Sequence, residues 1–346
     1  MKDKPPGTRI STDHLDELPY VRLVPTDDRT VPLIGLFQAE TEDWHLYLPH
    51  GHNELIRIVG GDMLNGSYLG KVPADRQTDI QFPLGTLVMQ RLSFRDVIGA
   101  LGPLENDIHR CAQILRKYHL FWEQRAAGNS FSSLLVESEV EYLLLLLRSY
   151  YDALQNVVRA IARHPLAGHE PTTRLATHEL PGKFSEVLKG QRGADEPLSL
   201  AQRYGMNDAL VEWYGIEAPF FRILKDLRDG IAHYGRRPSI IFETDWGFAI
   251  DPSERPWSRF NEWEDQRFKK DRLGSLRRLV ACFILHALGA TSRLADALGR
   301  LVELPPVLHE DLRLFVRSPF GRYLVDLETM ADSPWEGRGD ESSTTG

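Results

Sequence analysis

The sequence predicts an α+β protein in which a small β-rich subdomain precedes a helical bundle, and one β-hairpin interrupts that bundle. Short apolar or alternating runs separated by Gly, Pro, Asn and Asp fill residues 19–92 and are typical of strands and turns. From residue 93 onward, longer runs carry the apolar spacing of helices. An alternating run at 239–250 predicts the hairpin. The hydrophobic content of 42% is sufficient for a packed core.

Changes in composition divide the chain into four predicted parts. We expect a flexible tail over residues 1–18, which are polar and Pro-rich, and the β-rich subdomain over residues 19–92. The helical domain is expected over residues 93–330, with a bundle core at about 130–300. Residues 331–346 are too polar and too rich in Gly to pack on a core, which predicts a disordered tail.

Interruptions of the apolar pattern locate the first helices. The run at 85–94 is expected to be the last strand of the β-rich subdomain. Ser93 is a candidate N-cap, and Gly102-Pro103 is expected to end the helix that follows it. Residues 132–164 form the longest apolar pattern. Because its middle is apolar on all sides, this run predicts the central helix of the bundle.

Two further long helices are expected in the second half of the bundle. The first is predicted to begin near Ala218-Pro219, with Pro in its first turn, and to run to about Gly235. After the hairpin, the second is predicted over residues 262–304, where apolar residues follow the i, i+3, i+4, i+7 spacing of an amphipathic helix.

Composition also excludes several classes of protein. The net charge of −8 argues against a protein that coats nucleic acid without specificity, although it allows a local basic patch. No apolar run is expected to cross a bilayer, and the N-terminus lacks the apolar core of a secretory signal. The two cysteines, Cys111 and Cys282, lie far apart without metal-type neighbours. We therefore expect a cytoplasmic protein with no membrane, metal or cofactor site.

The segment LRDGIAHYG, Leu227 to Gly235, carries the candidate site. If the helix continues to His233, Asp229 lies on the same face, where its carboxylate would orient the imidazole. Arg228 and His233 are then about 140° apart around the helix. Either the helix distorts, or the two side chains flank a cleft. Gly230 weakens the helix at this point, which suits a bend or a close approach of a ligand.

The same Arg–His spacing occurs twice more, so spacing alone is weak evidence. Arg9 and His14 lie in the predicted tail, where nothing would hold their geometry. Arg159 and His164 end the predicted central helix, where cations complement the helix dipole. Only in the third occurrence does a carboxylate directly follow the Arg, and only there are the surroundings basic.

Further cations follow the motif and are candidates for RNA binding. If the helices of the bundle bring them together, they would form one basic surface around the motif. The alternative is an ordinary solvated helix face. The candidates are Arg236, Arg237, Lys269, Lys270 and Arg277.

The segment LRDGIAHYG resembles the signature of the HEPN superfamily, in which an Arg, a polar residue, three more residues and a His lie at the end of a bundle helix. The run YLLLLLRSYYDALQNVVRAIARH also resembles the long helix of these domains. Together the likeness covers roughly residues 130–300 and leaves out the β-rich subdomain.

This resemblance implies a metal-independent endoribonuclease that works as a homodimer. Arg228 would bind the scissile phosphate, and His233 would serve in acid–base catalysis while the RNA 2′-hydroxyl attacks phosphorus. Asp229 and Tyr234 would support them. A subgroup paired with nucleotidyltransferase antitoxins carries its Tyr one residue later, so modification of Tyr234 is not implied.

Two functions therefore stay open at this point. The first is an endoribonuclease, as a toxin or defence effector with an antitoxin or regulatory partner. The second is a catalytically inactive module that binds a protein, RNA or nucleotide, which the net acidity and the region outside the resemblance favour.

Overall fold

The computed structural model describes a little under three quarters of the chain. For the four N-terminal strands it describes the backbone alone, and for the other parts the side chains as well, apart from those at the ends of some helices. The described residues are 9–11, 34–38, 43–49, 54–58, 65–92, 94–126, 131–164, 175–189, 198–234, 240–254, 257–260, 265–300, 310–333 and 335–336. The protein combines long helices with small antiparallel sheets, which agrees with the α+β class that the sequence predicts.

Nine helices lie in the described part of the chain. They are α1 (Pro83–Arg91), α2 (Arg95–Ala126), α3 (Ser132–Ala162), α4 (Phe184–Val187), α5 (Leu198–Tyr204), α6 (Asp208–Tyr234), α7 (Leu276–Gly299), α8 (Arg322–Val325) and α9 (Leu327–Asp332).

The strands of the described residues form three sheets. The strands are β1 (Arg9–Ser11), β2 (Ile34–Gln38), β3 (Asp43–Pro49), β4 (Glu54–Ile58), β5 (Gly66–Gly70), β6 (Asp79–Gln81), β7 (Phe242–Thr244), β8 (Gly247–Ile250), β9 (Lys269–Lys270), β10 (Leu273–Ser275) and β11 (Arg313–Arg317). Their orders are β1-β4-β3-β2, β7-β8-β10-β9 and β5-β11-β6, all antiparallel. The expected strand region is thus divided between two sheets, one of which is completed by β11 from near the C-terminus.

Helix α3 is the centre of the bundle, as its sequence predicts. It contacts α2, α6 and α7, and its apolar middle is buried. Tyr214 on α6 donates a hydrogen bond to Gln155, and Arg148 lies over the ring of Phe221, so α3 and α6 run antiparallel. Burial of these apolar faces is the main favourable contribution to folding.

Two interior prolines differ from the sequence-based expectation. Pro103 does not end a helix but lies inside α2, and Pro219 lies inside α6, which begins about three turns earlier, at Asp208. A proline removes the hydrogen bond to the carbonyl four residues before it. Here those residues are Gly99 and Gly215, and both glycines and both prolines are exposed. Water can therefore reach each released carbonyl, which makes the interior proline tolerable.

The segment expected to be the last strand of the β-rich subdomain is instead helix α1. Its buried residues Leu84, Val88 and Leu92 are spaced by four, which matches a helix rather than a strand. Pro83 takes the first helical position, where its missing N–H costs nothing. The expected N-cap at Ser93 lies outside the described residues.

The expected helix over 262–304 begins only at Leu276. Ser275 caps α7, because its Oγ accepts a hydrogen bond from the Arg278 N–H at 3.1 Å. Before it, Asp271 and Arg272 have positive φ values of 48° and 69° and form the two-residue turn between β9 and β10. Lys269 and Lys270 therefore lie on a strand, not on the helix.

Both predicted tails contain ordered elements. β1 lies within residues 1–18 and pairs with β4. At the other end, α9 extends to Asp332, and Trp335 and Glu336 pack on the body of the protein. Although residues 331–346 are mostly polar, Trp335 provides the apolar surface for this packing.

Candidate functional site

Helix α6 carries the predicted motif in its last turns. The helix is continuous through Gly230 to Tyr234, so its backbone does not break at the motif. Leu224 and Leu227 are buried and hold this end of α6 on the bundle. In a regular helix, positions 228 and 233 consequently lie about 140° apart around the axis.

Arg228 lies at the edge of the bundle and its side chain is 37% exposed. Its Nη1 donates a hydrogen bond to Oδ1 of Asp229 at 3.0 Å. Lys225, one turn earlier, donates to Oδ2 of the same carboxylate at 2.9 Å. Burial opposes ionisation of Asp229, but these two hydrogen bonds outweigh it and hold the pKa of Asp229 below its ordinary value. Asp229 therefore stays charged at neutral pH and orients both cations.

The other half of the motif is placed by its backbone alone. His233 and Tyr234 lie in the last turn of α6, but their side chains lie outside the described part of the structure, as do Arg236 and Arg237. Whether Asp229 also orients His233 stays a prediction.

The remaining RNA-binding candidates belong to a different group of contacts. Arg277 is nine residues from His286, which packs on Phe220 of α6, so Arg277 points to the opposite side of α7. There its Nη1 donates a hydrogen bond to the carbonyl of Trp335 at 3.4 Å. Lys270 lies over the rings of Trp246 and Trp335. These two cations contact the C-terminal segment, and Lys269 lies partly buried next to them on β9.

Sequence reasoning missed a buried ionic cluster that joins three helices. Glu217 on α6 is 0% exposed and accepts hydrogen bonds from Tyr151 of α3 at 2.8 Å and from Nε of Arg293 on α7 at 2.6 Å. Nε2 of His286 lies 3.3 Å from Oε2 of Glu217, the oxygen that also accepts from Tyr151. Burial opposes ionisation, but His286, Arg293 and Tyr151 outweigh it and hold the pKa of Glu217 below its ordinary value.

The sequence contained a signal for this cluster. Arg293 follows His286 by seven residues, which places both on one face of α7, and Glu217 interrupts an apolar stretch of α6. A carboxylate in an apolar stretch requires a charged partner. Nothing in the sequence, however, identifies which of the many basic residues supplies that partner.

Among the described helices, α7 alone is long and apolar enough to cross a membrane by length and composition. Of its most apolar 18 residues, 56% are buried in the bundle, as is typical of a core helix. No group of three or more His, Cys, Asp or Glu side chains that could hold a metal ion occurs among the residues that the structure describes.

Comparison of the chain with protein-family models, with curated proteins and with solved structures found no match in any of the three.

Proposed function

We propose that the protein is a metal-independent endoribonuclease of the HEPN type, with Arg228 and His233 in its site. One observation carries the proposal: Arg228 is a partly exposed guanidinium that a neighbouring carboxylate orients at the end of a bundle helix. A guanidinium held in this way suits the recognition of a phosphate oxygen pair.

The proposed reaction uses groups of this chain and of the RNA alone. His233 accepts the proton of the 2′-hydroxyl, whose oxygen attacks the adjacent phosphorus, and the bond to the 5′ oxygen of the next nucleotide breaks. The same imidazole then returns the proton to that oxygen. The products are a 2′,3′-cyclic phosphate and a 5′-hydroxyl. Arg228 neutralises the charge that develops on phosphorus oxygens.

A site with both side chains requires two copies of the chain. Because α6 is continuous through Tyr234, positions 228 and 233 of one chain lie about 140° apart around the helix axis. An antiparallel arrangement of two copies would set the Arg228 of one chain beside the His233 of the other. We therefore propose that the active form is a homodimer.

An exposed apolar stripe on α3 offers a surface for this dimer. We define the α3 stripe as Phe131, Leu134, Leu135, Tyr142 and Leu145, which are 64%, 53%, 41%, 40% and 36% exposed. Leu134, Leu135, Tyr142 and Leu145 follow Phe131 by three, four, eleven and fourteen residues, so all five lie on one side of the helix. The antiparallel packing of α3 and α6 sets the motif level with the N-terminal half of α3, where the α3 stripe lies.

The non-catalytic alternative has its own supporting observation. Lys270 and Arg277 contact the C-terminal segment, and Asp229 partly neutralises Arg228. These contacts reduce the positive charge available to RNA. Under this alternative the bundle binds a protein, RNA or nucleotide partner without cleaving it.

The deciding experiment compares cleavage of a mixed RNA pool in EDTA by the wild type, Arg228→Ala and His233→Ala. We expect the wild type to leave 2′,3′-cyclic phosphate ends and either substitution to slow cleavage by about a hundredfold or more. Arg222→Ala, which removes an arginine from the same helix outside the motif, is the matched control. Cleavage that persists in both motif variants would contradict the proposal, and no cleavage by the folded wild type would favour the binding module.

A mixture of the two inactive variants tests the shared site. In a mixed dimer of Arg228→Ala and His233→Ala chains, one of the two composite sites keeps both groups. Activity should return to about a quarter of the wild-type value after subunit exchange, since half of the dimers are mixed. A mixture that stays inactive, although sedimentation shows mixed dimers, would place both groups of each site on one chain.

A further inference from the structure

Two residues near the C-terminus dock into a groove of the protein, and we call Trp335 and Glu336 the C-terminal strap. The indole of Trp335 packs edge-on against Trp246, with ring centroids 4.5 Å apart. Its Nε1 donates a hydrogen bond to the carbonyl of Arg267 at 3.2 Å. The backbone N–H of Glu336 donates to the carbonyl of Trp246 at 3.0 Å.

Cations surround the indole of the strap. Nζ of Lys270 lies 5.6 Å from the ring centroid of Trp335 and 5.8 Å from that of Trp246, within the range of cation–π contact. Arg277 contacts the strap by donating a hydrogen bond to the Trp335 carbonyl. One cation therefore lies over both indole rings, and a second contacts the backbone of the strap.

The carboxylate of the strap enters the body of the protein. Oε1 of Glu336 accepts a hydrogen bond from the hydroxyl of Tyr118 on α2 at 2.5 Å. Its Oε2 approaches Gly247 so closely that a Cβ at this position would lie 2.2 Å away. Gly247 also has a φ of 146°, which other residues rarely adopt. The groove thus has a glycine where the carboxylate needs space.

The surface on which the strap rests has the chemistry of a nucleotide-binding groove. Single-stranded RNA is bound by aromatic side chains on which bases stack and by cations that follow the backbone. Trp246 supplies the aromatic surface, and Lys270 and Arg277 supply the charges. In the strap, the Trp335 indole takes the place of a base.

The docked strap buries a carboxylate that is only half satisfied, which favours its displacement: Oε1 of Glu336 accepts from Tyr118, whereas Oε2 has no hydrogen-bond partner among the described residues. Burial raises the pKa of Glu336 to about 7, although Tyr118 and Arg277 oppose that rise. A carboxylate that is difficult to ionise gains little from its pocket. Trp335 itself stays partly exposed.

We propose that the groove formed by Trp246, Lys270 and Arg277 binds a nucleotide of single-stranded RNA, and that the C-terminal strap occupies it as an internal competitor. This inference rests on the proposed function, because it takes RNA as the ligand. It gives Lys270 and Arg277 a role in RNA binding that depends on release of the strap. RNA and the strap then exclude each other, so removing the strap contact raises the affinity for RNA.

The test measures binding of a short fluorescein-labelled single-stranded RNA by anisotropy, in the full chain carrying His233→Ala so that RNA is not consumed. Trp335→Ala should bind the RNA about tenfold more tightly or better, because it opens the groove. Tyr118→Phe, which removes one hydrogen bond of the strap and leaves the core volume nearly unchanged, should shift affinity in the same direction by less. Val72→Ala, which removes an exposed apolar side chain elsewhere, should leave the affinity unchanged.

A second substitution locates the site. Lys270→Ala added to Trp335→Ala should abolish the gain in affinity. The inference is overturned if Trp335→Ala and Tyr118→Phe both leave the affinity at the starting value, if no variant binds RNA, or if the gain survives Lys270→Ala. Cleavage does not enter this measurement. If the chain binds RNA in this way but never cleaves it, the nuclease proposal is wrong and the groove proposal stands. If the chain cleaves RNA but the Trp335→Ala and Lys270→Ala substitutions do not change binding as expected, the groove proposal is wrong and the nuclease proposal stands.

Discussion

Helix α6 carries two carboxylates whose surroundings differ. Glu217 is fully buried and contacts side chains on α3 and α7, whereas Asp229 is partly exposed and accepts hydrogen bonds from Lys225 and Arg228 on its own helix. Both have a pKa held below the ordinary value by hydrogen bonds that outweigh burial. The first carboxylate determines how three helices pack, and the second determines where a surface cation points. A lowered pKa alone therefore does not distinguish a buried structural acid from an acid at the surface.

The largest expected effect is loss of stability on removing the buried carboxylate. Glu217→Ala leaves Arg293 without its buried partner, so we expect the free energy of unfolding to fall by about 3 to 5 kcal/mol. Urea denaturation at neutral pH measures it. Asp226, on the same helix as Glu217, forms an exposed ion pair with Arg259. Asp226→Ala is therefore the matched control and should lower the free energy of unfolding by less than about 1 kcal/mol. Equal losses in the two variants would erase the distinction between buried and exposed carboxylates on α6.

The pH dependence of stability sharpens the comparison. Because the folded state lowers the pKa of Glu217, its contribution is fully present above the ordinary Glu value of 4.5 and is lost as pH falls through the folded pKa. The wild type should therefore lose stability below pH 4.5 faster than Glu217→Gln, which cannot titrate there. Denaturation curves over this range test the sign. A difference between the two proteins that grows as pH falls would contradict it.

The smallest effect on stability is expected at the surface carboxylate. Asp229→Asn should lower the free energy of unfolding by less than about 1 kcal/mol, since its partners are exposed. The same change should slow RNA cleavage by about tenfold, because Arg228 loses the charge that orients it. Lys225→Ala removes the other cation on Asp229 and serves as the control. A large loss of stability without loss of cleavage would reassign Asp229 to the fold.

Interior prolines show how far local sequence signals extend. Gly102-Pro103 and Ala218-Pro219 carry standard signals for a helix boundary, yet α2 and α6 pass through both. The deciding feature is the glycine four residues earlier, combined with exposure of that side of the helix. Exposure depends on which face packs on the bundle, so it is a property of the assembled helices. Local propensity cannot supply it.

In the candidate site, too, the contacts within one helix follow from the sequence, whereas the contacts between distant segments do not. The sequence placed Arg228 and Asp229 together in the last turns of one helix, and local helical geometry suffices to explain their contact. It grouped Lys270 and Arg277 with them because all are basic. The structure instead gives those two cations Trp335, a residue more than fifty positions away in sequence.

The sequence by itself determined the α+β class, the long central helix and the motif at the end of α6, because each depends on periodicity and on contacts within a few residues. Only the tertiary structure decided that Glu217 meets Tyr151, His286 and Arg293, that β11 completes the sheet of β5 and β6, and that Trp335 covers Lys270. These contacts join distant segments. Their partners are selected by which faces remain after the apolar surfaces are buried, and no local pattern records that selection.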